Sequence, residues 1–376
     1  MTDLQPSHAD HYLRQCLNVN DLKNLAQKLL EPSAFSYFAG GAEDEAALAR
    51  NLRALAEIAL HYRVLRGVGE RDMTTTLLDH RLSMPVIAAP TAFHQLAHPD
   101  GELATARAVK AEKSLFVLST LSNKSVEEVA ATKCPFWFQL YMYKDRGITR
   151  ALLERVVASG CSGLVFTVDA PVLGKREGDE RCGFRLPPDF SMDNLLPRDA
   201  ESERRKLATS GLTRYFSELI EPNITWEDIR WLAGETGLPV MVKGIVRCDD
   251  AVTALDNGAR GVIVSNHGGR QLDSAPATID VLPRIAQVLA GRSNAAGQLP
   301  CLLVDGGIRR GSDVMKALAA GADAVLIGRP VLWGLAAGGE AGVRHTFAIL
   351  RDELDRTLAL CGCRSIMEIT PDLFHA

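Results

Sequence analysis

The stretch "CLLVDGGIRRGSDVMKALAAGADAVLIGRP" (residues 301–330) contains two apolar runs separated by one helical segment. The runs "CLLVDGG" (301–307) and "AVLIGRP" (324–330) are short and mostly apolar, which is typical of strands buried on both faces of a parallel sheet. The segment "GSDVMKALAAG" between them has helical character and ends in glycine, a common residue after the last turn of a helix. A strand–helix–strand unit is therefore predicted here.

Similar apolar runs recur toward the N-terminus, each ending in polar or glycine residues, with helical segments between most of them. They are "MPVIAAP" (84–90), "SLFVLST" (114–120), "PFWFQLY" (135–141), "GLVFTVD" (163–169), "PVMVKG" (239–244) and "GVIVSN" (261–266). Together with the first two runs they predict eight strands that alternate with helices. This pattern favours an α/β fold of the (β/α)8 TIM-barrel type, and an open doubly wound sheet is the alternative.

Two segments lie outside this repeat. Residues 1–80 predict a helical N-terminal extension. Residues 186–215, between the fourth and fifth strands, are charged, contain proline and lack periodicity, so we expect a mobile lid over the C-terminal ends of the strands. Barrels of this length commonly form one unit, so a single domain is predicted for residues 1–376.

Composition excludes several classes of function. The net charge is −4 and no cluster of Lys and Arg appears, which argues against binding to nucleic acid. No signal peptide and no apolar stretch of about 18 residues is present, so we expect no membrane contact. The eight cysteines have no metal-ligand spacing, which predicts reduced thiols, no metal and a cytoplasmic protein.

The residues at the strand ends predict a functional site, because barrels carry their catalytic groups there. His267 and Arg270, a base and a fixed cation three residues apart, suit an enzyme that acts on a small anion. The glycines near Arg309 and Arg329 either form tight turns only or bind a phosphate through backbone N–H groups, and the two arginines favour a phosphate. Other strand ends supply Pro90, Thr91, Ala92, Ser119, Gln139, Tyr141, Thr167, Asp169, Lys243, Ser265, Asp305, Gly306, Gly307 and Gly328.

Several motifs at these positions resemble one enzyme family. They are "SNHGGRQLD", "TVDAPVLGKRE", "FQLYMYKDR", "APTAFHQLAHPDGE", "MVKGI" and the stretch from Asp305 to Pro330. In order and spacing, from about residue 18 to about residue 370, they are similar to the FMN-dependent L-2-hydroxy acid oxidase/dehydrogenase family, which includes glycolate and lactate oxidases. The resemblance implies FMN as cofactor, a 2-hydroxy acid as substrate and a homotetramer.

The resemblance also implies roles for the residues that meet the substrate. His267 would be the base, Asp169 would hydrogen-bond its imidazole, and Arg270 would bind the substrate carboxylate. Further substrate contacts are implied for Tyr37, Tyr141 and Arg176. The sequence leaves open whether hydride transfer or prior removal of the α-proton starts the reaction.

A second set of roles concerns the flavin. Lys243 would lie near flavin N1 and O2, where its charge stabilises the reduced ring. Contacts to the isoalloxazine ring are implied for Pro90, Thr91, Ala92, Ser119, Gln139 and Thr167. Asp305 would bind a ribityl hydroxyl, and the phosphate would meet Gly307, Arg309, Gly328 and Arg329. Ser265 and Gly306 are also implied to bind the cofactor.

Two departures from glycolate oxidases bear on the substrate. Leu121 stands where those enzymes commonly carry tryptophan, and Phe38 replaces a frequent tyrosine. A larger pocket follows, so lactate or a larger aliphatic or aromatic 2-hydroxy acid is expected rather than glycolate.

The electron acceptor and the reaction class have alternatives. Oxygen is the expected acceptor, giving H2O2. A dehydrogenase that uses a quinone or another acceptor is the main alternative, and a non-oxidative FMN barrel of the type 2 isopentenyl diphosphate isomerase kind or an inactive scaffold barrel is a remote one.

Overall fold

The computed structural model describes residues 12–187, 190, 192, 194 and 216–374. Two short strands, β1 (Thr75–Leu77) and β2 (His80–Leu82), pair antiparallel ahead of eight parallel strands that close into a barrel. The barrel strands are β3 (Val86–Ala88), β4 (Phe116–Ser119), β5 (Phe136–Leu140), β6 (Leu164–Thr167), β7 (Val240–Ile245), β8 (Gly261–Val264), β9 (Cys301–Val304) and β10 (Ala324–Ile327). The eight predicted strands and the (β/α)8 barrel are confirmed, and closure between β10 and β3 excludes the open sheet.

Alternate residues of each barrel strand pack on opposite faces. Ile87, Val117, Val165, Ile263 and Leu303 belong to one fully buried apolar cluster inside the barrel. The intervening residues belong to a larger cluster shared with the surrounding helices. Burial on both faces explains why these strands are apolar runs rather than alternating ones.

The β1–β2 hairpin closes the N-terminal end of the barrel. Leu77 and Leu82 are buried in the same cluster as Trp137 and Leu326 inside the barrel. The N-terminal extension was predicted to be helical up to residue 80, but among the described residues it is helical only as far as Glu57. The prediction is wrong for the last part of the extension, because β1 and the start of β2 lie there and form a hairpin that covers the barrel floor. Side chains of a strand point alternately inward and outward, so the hairpin does not show a helical pattern.

Twelve helices are bounded in the described part of the chain. Three precede the barrel, α1 (Val19–Leu29), α2 (Pro32–Ala39) and α3 (Ala46–Glu57). The others are α4 (Glu102–Ala111), α5 (Val126–Ala131), α6 (Arg146–Ala158), α7 (Glu177–Arg181), α8 (Glu227–Thr236), α9 (Cys248–Asp256), α10 (Thr278–Leu289), α11 (Gly311–Ala319) and α12 (Arg329–Cys361). None of the helices in the described ranges is both long enough and apolar enough to span a bilayer.

Local signals set several of these helix starts. Ser125 and Glu128 form a capping box at α5, in which Glu128 N donates to Ser125 Oγ at 3.2 Å and Ser125 N donates to Glu128 Oε2 at 2.9 Å. Asp145 accepts from Gly147 N at 2.7 Å at the start of α6. The helix starts after β4 and β5 are thereby held in place close to the strand ends that carry the site.

The long connection between β6 and β7 contains α7, which ends at Arg181. The predicted lid, residues 186–215, lies almost entirely outside the described residues. Its predicted role therefore stays a prediction.

Candidate active site

The inward-facing positions of the barrel strands become polar at their C-terminal ends. Val117 is followed two residues later by Ser119, Met241 by Lys243 and Leu303 by Asp305. Because side chains two residues apart point to the same face of a strand, the apolar interior is covered by a layer of buried polar groups. This layer forms the floor of a cavity.

The cavity opens at the C-terminal end of the barrel, and the empty space in it, including the part open to solvent, is about 1030 Å³. Nineteen of the residues predicted from sequence line it: Tyr37, Pro90, Thr91, Ala92, Ser119, Leu121, Gln139, Tyr141, Thr167, Arg176, Lys243, His267, Arg270, Asp305, Gly306, Gly307, Arg309, Gly328 and Arg329. Asp169 and Ser265 lie behind this surface and hold lining residues in place.

His267 is oriented by hydrogen bonds on both ring nitrogens. Its Nδ1 lies 2.8 Å from Asp169 Oδ1, and its Nε2 lies 3.4 Å from Tyr141 Oη. Burial lowers the pKa of His267 below its ordinary value, although the charge and hydrogen bond of Asp169 act to raise it. The imidazole therefore rests neutral with one nitrogen near the cavity, ready to accept a proton.

Asp169 stays ionised beside this histidine. Burial acts to raise the pKa of Asp169, but attraction to His267 and Lys243 and the hydrogen bond from His267 together lower it. Gly244 makes the close approach possible, because a side chain there would meet Asp169 Cβ at 2.6 Å. Gly244 has a φ of 115° at an irregularity in the β7–β8 pairing. The sequence "MVKGI" thus brings Asp169 up to the histidine through a residue that must lack a side chain.

Lys243 is buried among polar groups at the end of β7. Its Nζ donates to Ser265 Oγ at 2.9 Å and lies 3.3 Å from Asp305 Oδ2. Burial acts to lower the pKa of Lys243, but the charges of Asp305 and Asp169 raise it above its ordinary value. The side chain is therefore a fixed cation in the cavity floor.

Tyr37, from α2, lies beside two arginines of the cavity. The guanidinium carbons of Arg270 and Arg176 lie 4.9 Å and 5.8 Å from its ring centroid. The Phe184 ring stacks on the Tyr37 ring, with 4.5 Å between the ring centroids and an angle of 11° between the ring planes. Burial, then the charge of Arg176, lowers the pKa of Arg270 to about 10, so Arg270 remains a cation at neutral pH. A carboxylate bound next to Tyr37 would lie close to two guanidinium groups, those of Arg270 and Arg176.

Arg309 and Arg329 also line the cavity. Arg309 lies over the Trp333 ring at 4.8 Å, and burial lowers the pKa of Arg309 to about 10. Arg329 donates to four backbone carbonyls, those of Phe38, Ala39, Gly40 and Gly268. One glycine turn, at Gly306 and Gly307, also lies in the cavity wall.

Several buried polar atoms of the cavity have no hydrogen-bond partner within the described residues. They are Gln139 Nε2, Asp305 Oδ1, Asp169 Oδ2 and Arg176 Nε. Unpaired buried polar atoms cost roughly 1–3 kcal/mol each, so an occupant with complementary polar atoms would stabilise the site. Among the described residues, no group of three His, Cys, Asp or Glu side chains could hold a metal ion.

The sequence analysis missed Asn51 and Asn266. Asn51 Nδ2 donates to Asn266 Oδ1 and Asn266 Nδ2 donates to Asn51 Oδ1, each at 2.9 Å and buried. A side chain at Gly307 would meet Asn51 O at 2.6 Å, so α3 packs directly on the glycine turn after β9. The sequence contains a signal for Asn51, because this polar residue lies on the apolar face of α3 that carries Ala47, Ala54 and Leu55.

A buried group beneath Thr91 was also missed. Thr91 Oγ1 lies 2.6 Å from His94 Nε2, and His94 Nδ1 lies 2.9 Å from Thr105 Oγ1. Burial lowers the pKa of His94 to about 3, so its ring is neutral. Glu102 Oε1 accepts from the backbone N–H groups of His94 and Asn123 at 3.1 and 3.0 Å, and thereby joins the loops after β3 and β4. An acidic residue in the first turn of a helix looks ordinary in sequence, so no local signal marks Glu102.

Known proteins share this architecture across almost the whole chain. An L-lactate oxidase from Nostoc sp. is 46% identical over 364 residues, covering 96% of this chain and 98% of the relative. A glycolate oxidase from Spinacia oleracea is 45% identical over 354 residues, covering 94% of each chain. The solved structure of a mandelate oxidase with (S)-4-hydroxymandelic acid superposes with a TM-score of 0.86 at 39% identity, covering 93% of this chain and 96% of that chain.

A family model supports the same assignment. The model described as FMN-dependent dehydrogenase matches residues 26–376, which include the barrel and every residue named above as lining the cavity. The cationic groups and unpaired polar atoms of the cavity are the kind of surface that a phosphorylated, polar ring cofactor requires. The chain belongs to the FMN-dependent dehydrogenase family, and its cofactor is FMN.

Proposed function

We propose that this enzyme oxidises an L-2-hydroxy acid to the 2-keto acid and passes the electrons to O2, giving H2O2. Lactate or a larger aliphatic or aromatic 2-hydroxy acid is the substrate, in preference to glycolate. The observation that carries the proposal is the placement of the His267–Asp169 pair and Arg270 in one cavity of an FMN-dependent protein.

FMN would occupy the cavity between the polar floor and the glycine turns. Its phosphate would be held by backbone N–H groups of Gly306, Gly307 and Gly328 and by Arg309 and Arg329. The rest of the FMN molecule would contact Ser119, Gln139, Thr167, the 90–92 segment and Asp305. The unpaired atoms Gln139 Nε2 and Asp305 Oδ1 support this placement of the cofactor. When bound, FMN supplies the acceptor for the two electrons that leave the substrate.

The substrate carboxylate would lie against Arg270, with Tyr37, Tyr141 and Arg176 around it. Arginine binds carboxylates through two parallel hydrogen bonds, which fixes the orientation of the substrate as well as its charge. Tyr141 supports this placement, because its Oη is 3.4 Å from His267 Nε2 and lies in the same cavity. Burial raises the pKa of Tyr141 well above its ordinary value, so the phenol keeps its proton and can donate a hydrogen bond.

His267 would take the proton that the substrate loses. Its Nε2 is the nitrogen near the cavity, and Asp169 holds Nδ1. Once the ring is protonated, the carboxylate of Asp169 at 2.8 Å stabilises the new charge. Hydride transfer and prior removal of the α-proton both use a base in this position.

Leu121 supports the substrate preference. It is buried, lines the cavity and is smaller than tryptophan, so it leaves space in the cavity for a longer substrate side chain. Relatives named as lactate and mandelate oxidases support this range, and glycolate oxidases are among the relatives as well. Their names also favour oxygen as acceptor over a quinone.

Purified protein tests the proposal directly. It should be yellow, its visible flavin absorbance should bleach when L-lactate is added without oxygen, and H2O2 should accumulate in air. D-lactate is the matched control and should leave the absorbance in place. Rapid turnover with a quinone and no peroxide would indicate a dehydrogenase instead, and a flavin that no L-2-hydroxy acid bleaches would exclude the reaction.

A further inference from the structure

Arg329 lies between the two ends of the site. We propose that Arg329 couples FMN binding to the order of the substrate carboxylate site, because it joins the phosphate end of the cavity to α2 and to the loop that carries His267. The inference rests on the proposed function in one respect, which is that the FMN phosphate binds beside Arg329.

The hydrogen bonds of Arg329 reach two segments that are distant in the chain. Nη2 donates to Gly40 O at 2.7 Å, and Nε lies 3.1 and 3.2 Å from Phe38 O and Ala39 O. Nη1 donates to Gly268 O at 2.9 Å. One guanidinium therefore holds the carboxyl end of α2 and the residue that follows His267.

Arg270 holds the same carboxyl end from the substrate side. Its Nη1 donates to Tyr37 O at 2.6 Å and to Gly40 O at 3.0 Å. Gly40 O thus accepts from both arginines, so a displacement of α2 that breaks the contacts of Arg329 also displaces a partner of Arg270. Tyr37 is carried on the same turn of helix.

The charge of Arg329 makes this contact depend on an anion. Burial, then the charges of Arg270 and Arg309, lowers the pKa of Arg329 well below its ordinary value, while the charge of Glu45 acts to raise it. Its hydrogen-bond partners are carbonyl groups, which belong partly to the negative end of α2 and solvate the cation without neutralising it. Within the described residues, the hydrogen bonds of Arg329 go to carbonyl groups and not to a carboxylate, and a buried cation that lacks a paired carboxylate favours local opening that lets water reach it.

A phosphate beside Arg329 would make local opening around this arginine less favourable. It would supply the missing charge and keep the guanidinium in place, so α2 and the 266–270 loop would open less often. The coupling is reciprocal, since a ligand that favours the ordered segment also favours phosphate binding. Lysine at this position keeps one charge but cannot form the fork to several carbonyls.

Hydrogen exchange of the wild-type protein, with and without FMN, tests the first half of the inference. Three backbone amides report on opening, those of Gly40, which donates to Ser36 O, Ala42, which donates to Gly269 O, and Gly269, which donates to Asn266 O. FMN should slow exchange in peptides that contain them by about 10-fold or more. Exchange in α6, which packs on α5 and α8, serves as the internal reference.

The variants Arg329→Lys and Arg309→Lys separate coupling from phosphate affinity. Both should weaken FMN binding, since both arginines would meet the phosphate. At full FMN occupancy Arg309→Lys should retain the FMN-induced protection of the three amides, and Arg329→Lys should lose it. Pyruvate, the product from L-lactate, should bind the FMN-loaded Arg329→Lys protein about 10-fold more weakly than the FMN-loaded Arg309→Lys protein, as followed by the flavin spectrum.

Equal protection and equal pyruvate affinity in the two variants would overturn the inference. If Arg329→Lys does not retain FMN, hydrogen exchange is compared between the unliganded variant and the unliganded wild type. The backbone amides of Gly40 and Ala42 should exchange faster in the variant, and equal exchange rates would also overturn the inference. Failure of the proposed function is a different result, because it would appear as a wild-type flavin that L-lactate does not bleach.

Discussion

At residue 267 the backbone adopts a left-handed conformation, with a φ of 59°. Such a conformation costs roughly 1–3 kcal/mol outside glycine and occurs most often where function requires it. Gly268 and Gly269 continue the turn with φ values of 64° and 76°, and a side chain at Gly269 would meet Leu48 N at 2.5 Å. The turn brings the imidazole and the Arg270 side chain into one cavity.

Replacing Asp169 with asparagine should lower kcat with L-lactate by about 10²–10⁴-fold. The amide cannot stabilise a protonated imidazole and favours the wrong tautomer of His267. The measurement is steady-state kinetics across pH. Asp249→Asn, at an exposed position paired with Arg247, is the control and should retain wild-type kinetics.

The pH dependence of kcat/KM should shift in one direction in the Asp169→Asn variant. Burial lowers the pKa of His267, and Asp169 partly opposes that shift. The base works when neutral, so kcat/KM falls on the acid side as pH drops through this pKa. Without the carboxylate the pKa falls further, and the acid limb should move to lower pH in Asp169→Asn. A limb that moves to higher pH would contradict the assignment of His267 as the base.

Replacing Leu121 with tryptophan should shift the substrate preference toward glycolate. The indole would fill space in the cavity that a longer substrate side chain needs. We expect the ratio of kcat/KM for lactate over glycolate to fall by about 10-fold or more. Leu121→Met, which conserves volume, is the control, and a ratio that stays the same across substrate lengths in Leu121→Trp would refute the idea.

At the scale of elements, α2 and α3 belong to the site although they precede the barrel. Ala42 N donates to Gly269 O at 2.8 Å, and Ala47 N donates to Asp273 Oδ1 at 2.9 Å. The Asn51–Asn266 pair continues this line of contacts between α3 and the β8 loop. The extension therefore forms one wall of the cavity and positions the loop that carries His267.

Glu102 joins two other loops and makes stability depend on pH. Burial raises the pKa of Glu102 from 4.5 to about 7, so the folded protein retains a proton that the unfolded chain releases. The favourable contribution is complete below about pH 4.5 and is lost as pH rises to about 7. The shift corresponds to roughly 3 kcal/mol.

Replacing Glu102 with glutamine should remove this pH dependence. The amide oxygen can still accept from His94 and Asn123, and no ionisation remains. Urea unfolding at about pH 5 and about pH 8 should show that the wild type loses more stability than the variant between the two conditions. Equal losses would mean that Glu102 does not titrate in this range.

At the scale of the whole molecule, a chain of net charge −4 gathers five cations around one cavity. They are Arg176, Lys243, Arg270, Arg309 and Arg329, while Glu45, Asp169, Asp179 and Asp305 are carboxylates near them. Charges of one sign in a cleft attract ligands of the other sign and raise their association rates. The cavity is therefore suited to a phosphate at one end and a carboxylate at the other.

Cofactor selectivity should follow from this charge distribution. Unliganded protein should bind FMN at least about 100-fold more tightly than riboflavin, because only FMN brings a phosphate to Arg309 and Arg329. Titration followed by flavin fluorescence measures both affinities, and raised salt should weaken FMN binding more than riboflavin binding. Similar affinities for the two flavins would show that the phosphate contributes little.

The amino-acid sequence by itself determined the barrel and the residues at its strand ends. Apolar runs of strand length with polar ends follow from burial on both faces, and the order of the runs specifies which ends meet at one rim. His267, Lys243 and Asp305 could be named this way because strand periodicity is local. Their roles required the family resemblance as well.

Only the tertiary structure decided which distant segments complete the site. The bond from Arg270 to Tyr37 spans 233 residues and the Asn51–Asn266 pair spans 215, and neither has a local pattern that marks its partner. The hairpin beneath the barrel and the Glu102 contacts were missed for the same reason. Propensity and periodicity describe neighbours along the chain, whereas packing pairs surfaces according to shape, charge and hydrogen-bonding capacity in three dimensions.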